Sequence, residues 1–380
     1  MIKESLKKLQ FNIEKEDYKG FDPYDALMSP FFKLPILKIN KLIRFGTQQL
    51  VKRLPFNIRP LLFIPKGYNP VTLGLSIQAY AYLVLAEPEN KEKYLQKITH
   101  LVSELKKLIP PGFSGACWGY DFDWEARHAK IPAYQPSVVA TGIISNALFI
   151  AHQLTGHKES ANLVKSAADF IVNDLKRTYV GNTFCFSYSP FDHQQVFNAS
   201  MKGVRVLAQA YSIGQNSEYK ELARQAVDFV IANQKEDGSW GYSLANAGDW
   251  TDNYHTGYVL DCLDEYQKLT DDYQLKLNLE KGYTFYLNHF IKKNGRPKFY
   301  HNKTYPIDCT SAAQTILTTL RFGDLEIANA TAAWMKSNMQ KRNGSFIFRK
   351  FKYYTIKTSF MRWSDAWMFA ALSQLNNQLK

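Results

Sequence analysis

The stretch Ala226-Val-Asp-Phe-Val-Ile-Ala-Asn-Gln234-Lys-Glu-Asp237-Gly238-Ser-Trp240-Gly-Tyr242 runs from a helix through a stop into a short aromatic strand. Leu222, Ala226, Phe229 and Val230 fall on one face of a helix over 219–233, the 3.6-residue spacing of an amphipathic surface helix. Glycine then breaks the pattern, and the residues after it read as a strand-like turn. The same punctuation recurs as Gly115-Ala-Cys-Trp-Gly-Tyr120, Gly181-Asn-Thr-Phe-Cys-Phe186, Gly295-Arg-Pro-Lys-Phe-Tyr300 and Gly344-Ser-Phe-Ile-Phe348. The five glycines step by 66, 57, 57 and 49 residues. A recurrence of that length means one supersecondary unit used several times.

Paired helical patterns fill the intervals: 137–154 with 158–175, 198–213 with 217–233, 255–269 with 271–291, and 310–320 with 324–340, preceded by 72–86 with 90–109. The second helix of each pair is the more amphipathic. The first is apolar nearly all round, as in Val138, Val139, Ile143, Ile144 and Leu148, which predicts a helix buried on most sides. That division predicts an inner and an outer ring. A last helix over 363–375 is expected to close against helical material near 41–54. The expected fold is therefore all-α, a single α/α toroid of about six helical hairpins with short aromatic strand-like loops on one rim. Residues 71–380 form the toroid, and residues 1–70 a basic, partly helical extension packed on it. An open superhelix is the alternative, but units of ~57 residues exceed the ~34 of tetratricopeptide arrays.

The chain has 380 residues, 46% hydrophobic and 21% charged, so a sizeable core is available and wholesale disorder is excluded. Lys and Arg number 47 against 34 Asp and Glu, a net charge of +13 that points to an anionic partner. No acid occurs from Ala26 through Ala86 or from Ile327 through Ser364. Each stretch reads either as a basic surface packing the ring or as a patch for anionic lipid headgroups or a lipid-linked glycan. Nucleic acid is the weaker partner, since no recognised nucleic-acid motif accompanies the basic residues. Cys117, Cys185, Cys262 and Cys309 lie far apart, without CxxC or zinc spacing, so no metal and no cofactor are expected. The charged first twenty residues contain no apolar signal core, and no window offers the ~18 uninterrupted apolar residues of a membrane span. A cytoplasmic or membrane-peripheral address is the expectation.

The 226–242 stretch resembles the repeat motif of terpenoid cyclases and protein prenyltransferases, in which a helix ends in Gln and Gly and Trp follow. Residues 335–346 form a second copy, with Gln340, Gly344, and Phe346 in the Trp place. The resemblance implies the ring, an architecture shared with six-hairpin glycosidases and several polysaccharide lyases and epimerases. It does not imply the reaction. The cyclases' Asp-x-Asp-Asp motif has no true match, Asp121-Phe-Asp123-Trp124 stopping one acid short, and the prenyltransferases' zinc ligands are not recognisable. Trp118-Gly-Tyr-Asp-Phe-Asp-Trp124 and Met361-Arg-Trp-Ser-Asp-Ala-Trp367 are similar to uncharacterised bacterial proteins associated with surface-polysaccharide synthesis.

Polar and aromatic residues gather where each inner helix begins: Trp118, Asp123, Trp124 and Arg127; Tyr188 and Asn198; Trp250, Asp252, Asn253, His255 and Tyr258; Tyr305 and Asp308; Arg362 and Trp363. Asp and Asn there also cap helices. Two schemes fit. Glycoside cleavage needs a carboxylate pair, from Asp123, Asp252 and Asp308, with Trp and Tyr stacking on the sugar. Proton abstraction beside a uronate carboxylate needs a base, His255 or Tyr258, and Arg362, Asn198 or Asn253 to stabilise the enolate-like charge. The expected activity is that of a carbohydrate-active enzyme, a hydrolase, lyase or epimerase, on an anionic surface polysaccharide or lipid-linked oligosaccharide. A cyclase-like enzyme with an isoprenoid in a dry aromatic pocket is the first alternative. A non-catalytic glycan- or protein-binding ring is the second, and it predicts that Asp123, Asp252, His255 and Asp308 do not converge.

Overall fold

A computed structural model of the chain describes residues 2–35, 37, 40–125, 130–245 and 248–380. Among them, six helices form an inner ring: α3 (Pro70–Ala86), α5 (Val138–Thr155), α7 (Phe197–Gly214), α9 (Asn253–Thr270), α11 (Cys309–Arg321) and α13 (Trp367–Gln378). Each packs on the next, and α13 returns to α3. Outside them lie α4 (Lys91–Lys107), α6 (Lys158–Asn173), α8 (Ser217–Ala232), α10 (Lys276–Phe290), α12 (Leu325–Met339) and α1 (Ile2–Lys15). The expected α/α toroid is the observed fold. Val138–Thr155 is long and apolar enough to cross a membrane by composition, but in the ring it is mostly buried by its neighbours.

The ring closes differently from the expectation. Its sixth outer helix is α1, which packs on α12 and α13, whereas α2 (Lys41–Arg53) lies outside both rings. Burial explains the choice. Ile2, Leu6, Leu9 and Ile13 repeat at helical spacing, and all four are buried. Each contributes roughly 1.5–3 kcal/mol by leaving water. Leu42 and Leu50 of α2 remain exposed.

The repeated Gln and Gly are the joints between units. Gln234 Nε2 donates to Gly238 O in its own turn and to Asn278 O on α10, both at 2.9 Å. Gln340 Nε2 donates to Gly344 O at 2.9 Å and to Ser5 O on α1 at 3.0 Å. The same side chain thus ties each turn to the next outer helix, and α1 takes that place for the last unit. The glycines sit against the same neighbours. A Cβ on Gly238 would lie 2.5 Å from Lys281 O, and one on Gly344 2.3 Å from the Lys8 backbone. The aromatic two residues after Gly238 is core: Trp240 Nε1 donates to Val230 O at 2.9 Å, as Trp118 Nε1 does to Leu105 O.

Short antiparallel strands decorate the rim where the inner helices begin. β1 (Trp124–Glu125) pairs with β2 (Lys130–Ile131), and β3 (Arg177–Val180) with β4 (Thr183–Phe186). β5 (Ile307–Asp308), β6 (Arg349–Lys350) and β7 (Thr355–Ile356) form a three-stranded sheet that sets Asp308 opposite Arg349. Three arginines of the acid-free segments turn inward onto acids from elsewhere. Arg44 Nε binds Glu125 at 2.9 Å, Arg59 Nε binds Asp25 at 2.7 Å, and Arg349 Nη2 binds Asp308 at 2.6 Å.

Candidate active site on the ring axis

The first turns of α5, α7 and α9 and the π-helical turn Met361–Ala366 before α13 surround a cavity of about 260 Å³. Its position places the N-terminal ends of the inner helices on one rim, where their dipoles favour negative charge. The wall is aromatic: Tyr24, Tyr120, Phe122, Trp124, Tyr188, Tyr242, Trp250, Tyr254, Tyr258, Trp363 and Trp367 all line it. Burial raises the acidities' midpoints of Tyr188, Tyr254 and Tyr258 well above the ordinary phenol value, so these hydroxyls stay protonated and able to donate.

One titratable pair stands out in this wall. Asp252 is the N-cap of α9. Its Oδ1 accepts from His255 N at 3.0 Å, and its Oδ2 lies 2.7 Å from His255 Nδ1. The carboxylate side chain is wholly buried and the imidazole is 18% accessible. A carboxylate accepts only, so Nδ1 carries the proton in this bond. Among the described residues Nε2 has no protein partner, and the ring lines the cavity, packed by Tyr242, Trp250 and Tyr254. Tyr258 stands one turn further along α9, its ring centroid 6.2 Å from that of His255.

Three other groups offer substrate contacts. Arg362 stacks over Tyr120 and Trp363, and its Nε and Nη2 hold both oxygens of Asp22 at 2.6 and 2.9 Å. Among the described residues, Asn198 Oδ1 and Trp363 Nε1 are buried at the wall without a protein partner. Unpaired polar atoms in such a place mark hydrogen bonds left for a ligand or water.

Beneath the cavity the axis is polar. Lys202, one turn beyond Asn198 on α7, sets its Nζ 3.7 Å from the Tyr258 ring centre. Arg205, Asp261, Gln314 and Arg321 line the space below. Burial lowers the Lys202 ammonium to about 7. Asp261 accepts from Gln314 Nε2 at 2.7 Å and Thr318 Oγ1 at 2.9 Å.

Of the sequence candidates, Trp124, Tyr188, Asn198, Trp250, His255, Tyr258, Arg362 and Trp363 meet at the cavity, with Asp252 directly behind His255. Arg127 lies outside the described residues. Asp123 and Asp308 require correction as catalytic acids. Phe122 and Trp124 line the cavity, and Asp123 between them does not. Its Oδ1 accepts from Ala133 N at 2.9 Å. Asp308 caps α11 through Ser311 N at 3.1 Å and spends Oδ2 on Arg349. As substrate contacts, Trp118, Asn253 and Tyr305 are corrected too. Trp118 is core, Asn253 is tied to Thr315 Oγ1 and Tyr286 Oη, and Tyr305 packs on the core outside the cavity.

Residues missed in the sequence are Tyr24, Tyr120, Phe122, Tyr242 and Trp367. Two, Tyr120 and Tyr242, carried a signal that the predicted Tyr188 shares. Trp118/Tyr120, Phe186/Tyr188 and Trp240/Tyr242 are the same pair, a core aromatic followed two residues later by one in the cavity.

No family model matches the chain, and no curated protein matches it. Solved structures do. A cellobiose 2-epimerase from Bacillus thermoamylovorans superposes with a TM-score of 0.64 at 12% identity, covering 82% of this chain and 88% of that one. A possible member of the GH105 family from Salmonella enterica gives 0.62 at 12% identity, covering 100% and 94%. An unsaturated glucuronyl hydrolase from Streptococcus agalactiae gives 0.58 at 11% identity, covering 100% and 90%. At these identities the likeness is one of fold, the α/α toroid of six hairpins.

Proposed function

We propose that the chain is a carbohydrate-active enzyme that moves a proton at a sugar carbon beside a carbonyl or carboxylate, the chemistry of epimerases and lyases. The Asp252–His255 pair facing an aromatic cavity carries this reading. Asp252 holds the imidazole with Nδ1 protonated, leaving Nε2 as the base. The carbon–hydrogen bond breaks, its proton passes to Nε2, and the electron pair moves toward the carbonyl oxygen; the pair then returns to take a proton on the same carbon in an epimerase, or breaks the β carbon–oxygen bond in a lyase, the departing oxygen taking a proton. Tyr258, kept protonated by burial, and the part of Arg362 not engaged by Asp22 are placed to receive the developing negative charge. Trp124, Trp250 and Trp363 supply faces for the sugar. Carboxylate-pair glycosidase chemistry has less support, because no Asp or Glu is among the described residues lining the cavity. An isoprenoid pocket calls for a dry axis, and here the axis continues into Lys202, Arg205 and Asp261.

The finer reading is an acidic or lipid-linked glycan handled during surface-polysaccharide production, by a cytoplasmic protein in peripheral contact with the membrane. The net charge of +13 and the helix N-termini around the cavity support the anionic substrate. In D2O, incubation with reducing disaccharides and with uronate oligosaccharides should either place one solvent deuteron on the sugar, as an epimerase does, or give fragments whose masses sum to that of the substrate, as a lyase does. His255→Asn should abolish the uptake. Cleavage that adds water with no deuterium on carbon would replace the proposal with hydrolysis.

A further inference from the structure

The helix that stiffens the cavity wall from outside has two unlike faces. Inward, Gln48 Nε2 donates to Tyr24 O at 2.8 Å, Gln48 Oε1 accepts from Glu125 N at 3.2 Å, Lys52 Nζ lies 3.9 Å from the Tyr24 ring centre, and Arg44 pairs with Glu125. α2 is thus fixed to the residues that carry Tyr24 and Trp124 into the cavity. Outward, a surface helix normally shows polar side chains. α2 shows Leu42, 83% accessible, and Leu50. The turns on either side extend the patch with Phe56, Phe63 and Leu61, the last 76% accessible, and Phe31 packs its ring on that of Phe63 at 6.1 Å. The tip of the β6–β7 hairpin adds Tyr353, 86% accessible, and the hairpin is joined to the end of α2 by Lys357 N donating to Pro55 O at 3.4 Å.

Charge selects the occupant. Lys33, Lys41, Arg53, Lys352 and Lys357 are exposed in the same segments, and among the described residues none is paired with an acid. The segment 26–86 that supplies most of the patch contains no acid at all. Apolar side chains with basic residues between them, and no negative charge, match a bilayer surface of anionic lipid. A soluble partner for so apolar a face would need acids set among its own apolar residues, whereas an anionic bilayer supplies both features everywhere.

We infer that the outer face of α2, with the turns at 31–34 and 54–63 and the β6–β7 tip, docks the protein on an anionic membrane. Because the other face of α2 holds Tyr24 and Glu125, docking brings the cavity wall to the lipid surface, where a lipid-linked sugar chain would lie. That last step rests on the carbohydrate reading, and the membrane contact does not.

Flotation of the full chain with phosphatidylglycerol–phosphatidylcholine vesicles tests the contact without any sugar. Binding should be strong to the mixed vesicles, weak to phosphatidylcholine alone, and reduced by salt. Leu42→Ser/Leu50→Ser/Phe56→Ser should lower the partition on the order of 100-fold or more. Lys41→Glu/Arg53→Glu should lower it on the order of tenfold or more, and it removes no apolar surface, so it decides the matter if the triple variant does not fold. Failure to float with the mixed vesicles overturns the inference. So does a wild-type dimer that the triple variant converts to monomer, which would assign the face to a second copy. Flotation with neither deuterium uptake nor eliminative cleavage of any sugar would leave the membrane contact standing and remove the carbohydrate reading.

Discussion

Asp252→Asn separates the two jobs of Asp252. As a cap, its Oδ1 accepts from His255 N at 3.0 Å. Asn caps about as well as Asp, while Ala would cost about 1 kcal/mol. The substitution should therefore leave the melting temperature within a few degrees of wild type. As the partner of His255, its Oδ2 takes the Nδ1 proton at 2.7 Å. An Asn amide can donate there instead, and a donor facing Nδ1 moves the imidazole proton to Nε2. The base at the cavity would then carry a proton where it needs a lone pair. Loss of correctly oriented general acid–base catalysis is worth about 10²–10⁴ in rate, or about 3–5 kcal/mol of barrier. Solvent deuterium uptake measures the rate, and ¹⁵N spectra of the ring nitrogens report the tautomer without any substrate. A folded Asp252→Asn protein with the wild-type tautomer and undiminished uptake would refute the dyad as the proton-transfer group.

Other variants probe what holds the cavity in place. Arg349→Met leaves the Asp308 carboxylate buried and unpaired, which should cost about 3–5 kcal/mol in a denaturant titration; Asp308→Asn, which keeps the cap to Ser311, should cost less. Gly344→Ala pushes a methyl against the Lys8 backbone, 2.3 Å away, at a positive φ, and should lower stability by roughly 2 kcal/mol or more. Gly46→Ala in α2 meets nothing within 4 Å and should raise it by up to about 1 kcal/mol. Lys202 is held near 7, below the unfolded lysine value of about 10.4. Its folded value is depressed, so stability is full above pH ~10.4 and falls as pH drops toward 7, because the unfolded chain takes the proton first. Melting temperatures of wild type relative to Lys202→Met should therefore rise from pH 7 to pH 10, and a pH-independent difference would mean that Lys202 is charged in the fold.

The ring was legible because its determinants are local and repeated: a Gly and an aromatic two to four residues on in five units, a Gln four residues before the Gly in two of them, and an apolar helix after each. Its closure was not. The four apolar residues of α1 stand at clear helical spacing among Lys3, Glu4, Lys7 and Lys8, but their partners are at the far end of the chain. The Ser5–Gln340 bond spans 335 positions, and no reading along the chain finds such a pairing. Tyr24 and the Asp22 carboxylate that holds Arg362 were hidden for the same reason. Tyr120 and Tyr242 were within reach, since each stands two residues beyond a core aromatic, as the predicted Tyr188 does.

The inner helices also show why a rim full of acids is a poor guide to chemistry. Ser137, Asp252 and Asp308 cap α5, α9 and α11 in the same way, each accepting from the N–H three residues on. The cap is a demand of the fold, because the first turn of every buried helix has N–H groups to satisfy. What differs is the side chain at that third position: Ala140, His255 and Ser311. At α11 the second carboxylate oxygen is free to take Arg349 across the sheet, and the pair becomes structural. At α9 the same oxygen meets an imidazole, and a capping residue becomes the orienting half of a proton-transfer pair. Moving that histidine is then the sharpest way to separate scaffold from chemistry. His255→Ser would give α9 the sequence logic of α11, keeping the cap while emptying the cavity of its base. If the deuterium uptake survived that exchange, the proton transfer would have to be assigned to another group in the wall, where the rings of Tyr254, Tyr242 and Tyr258 neighbour His255.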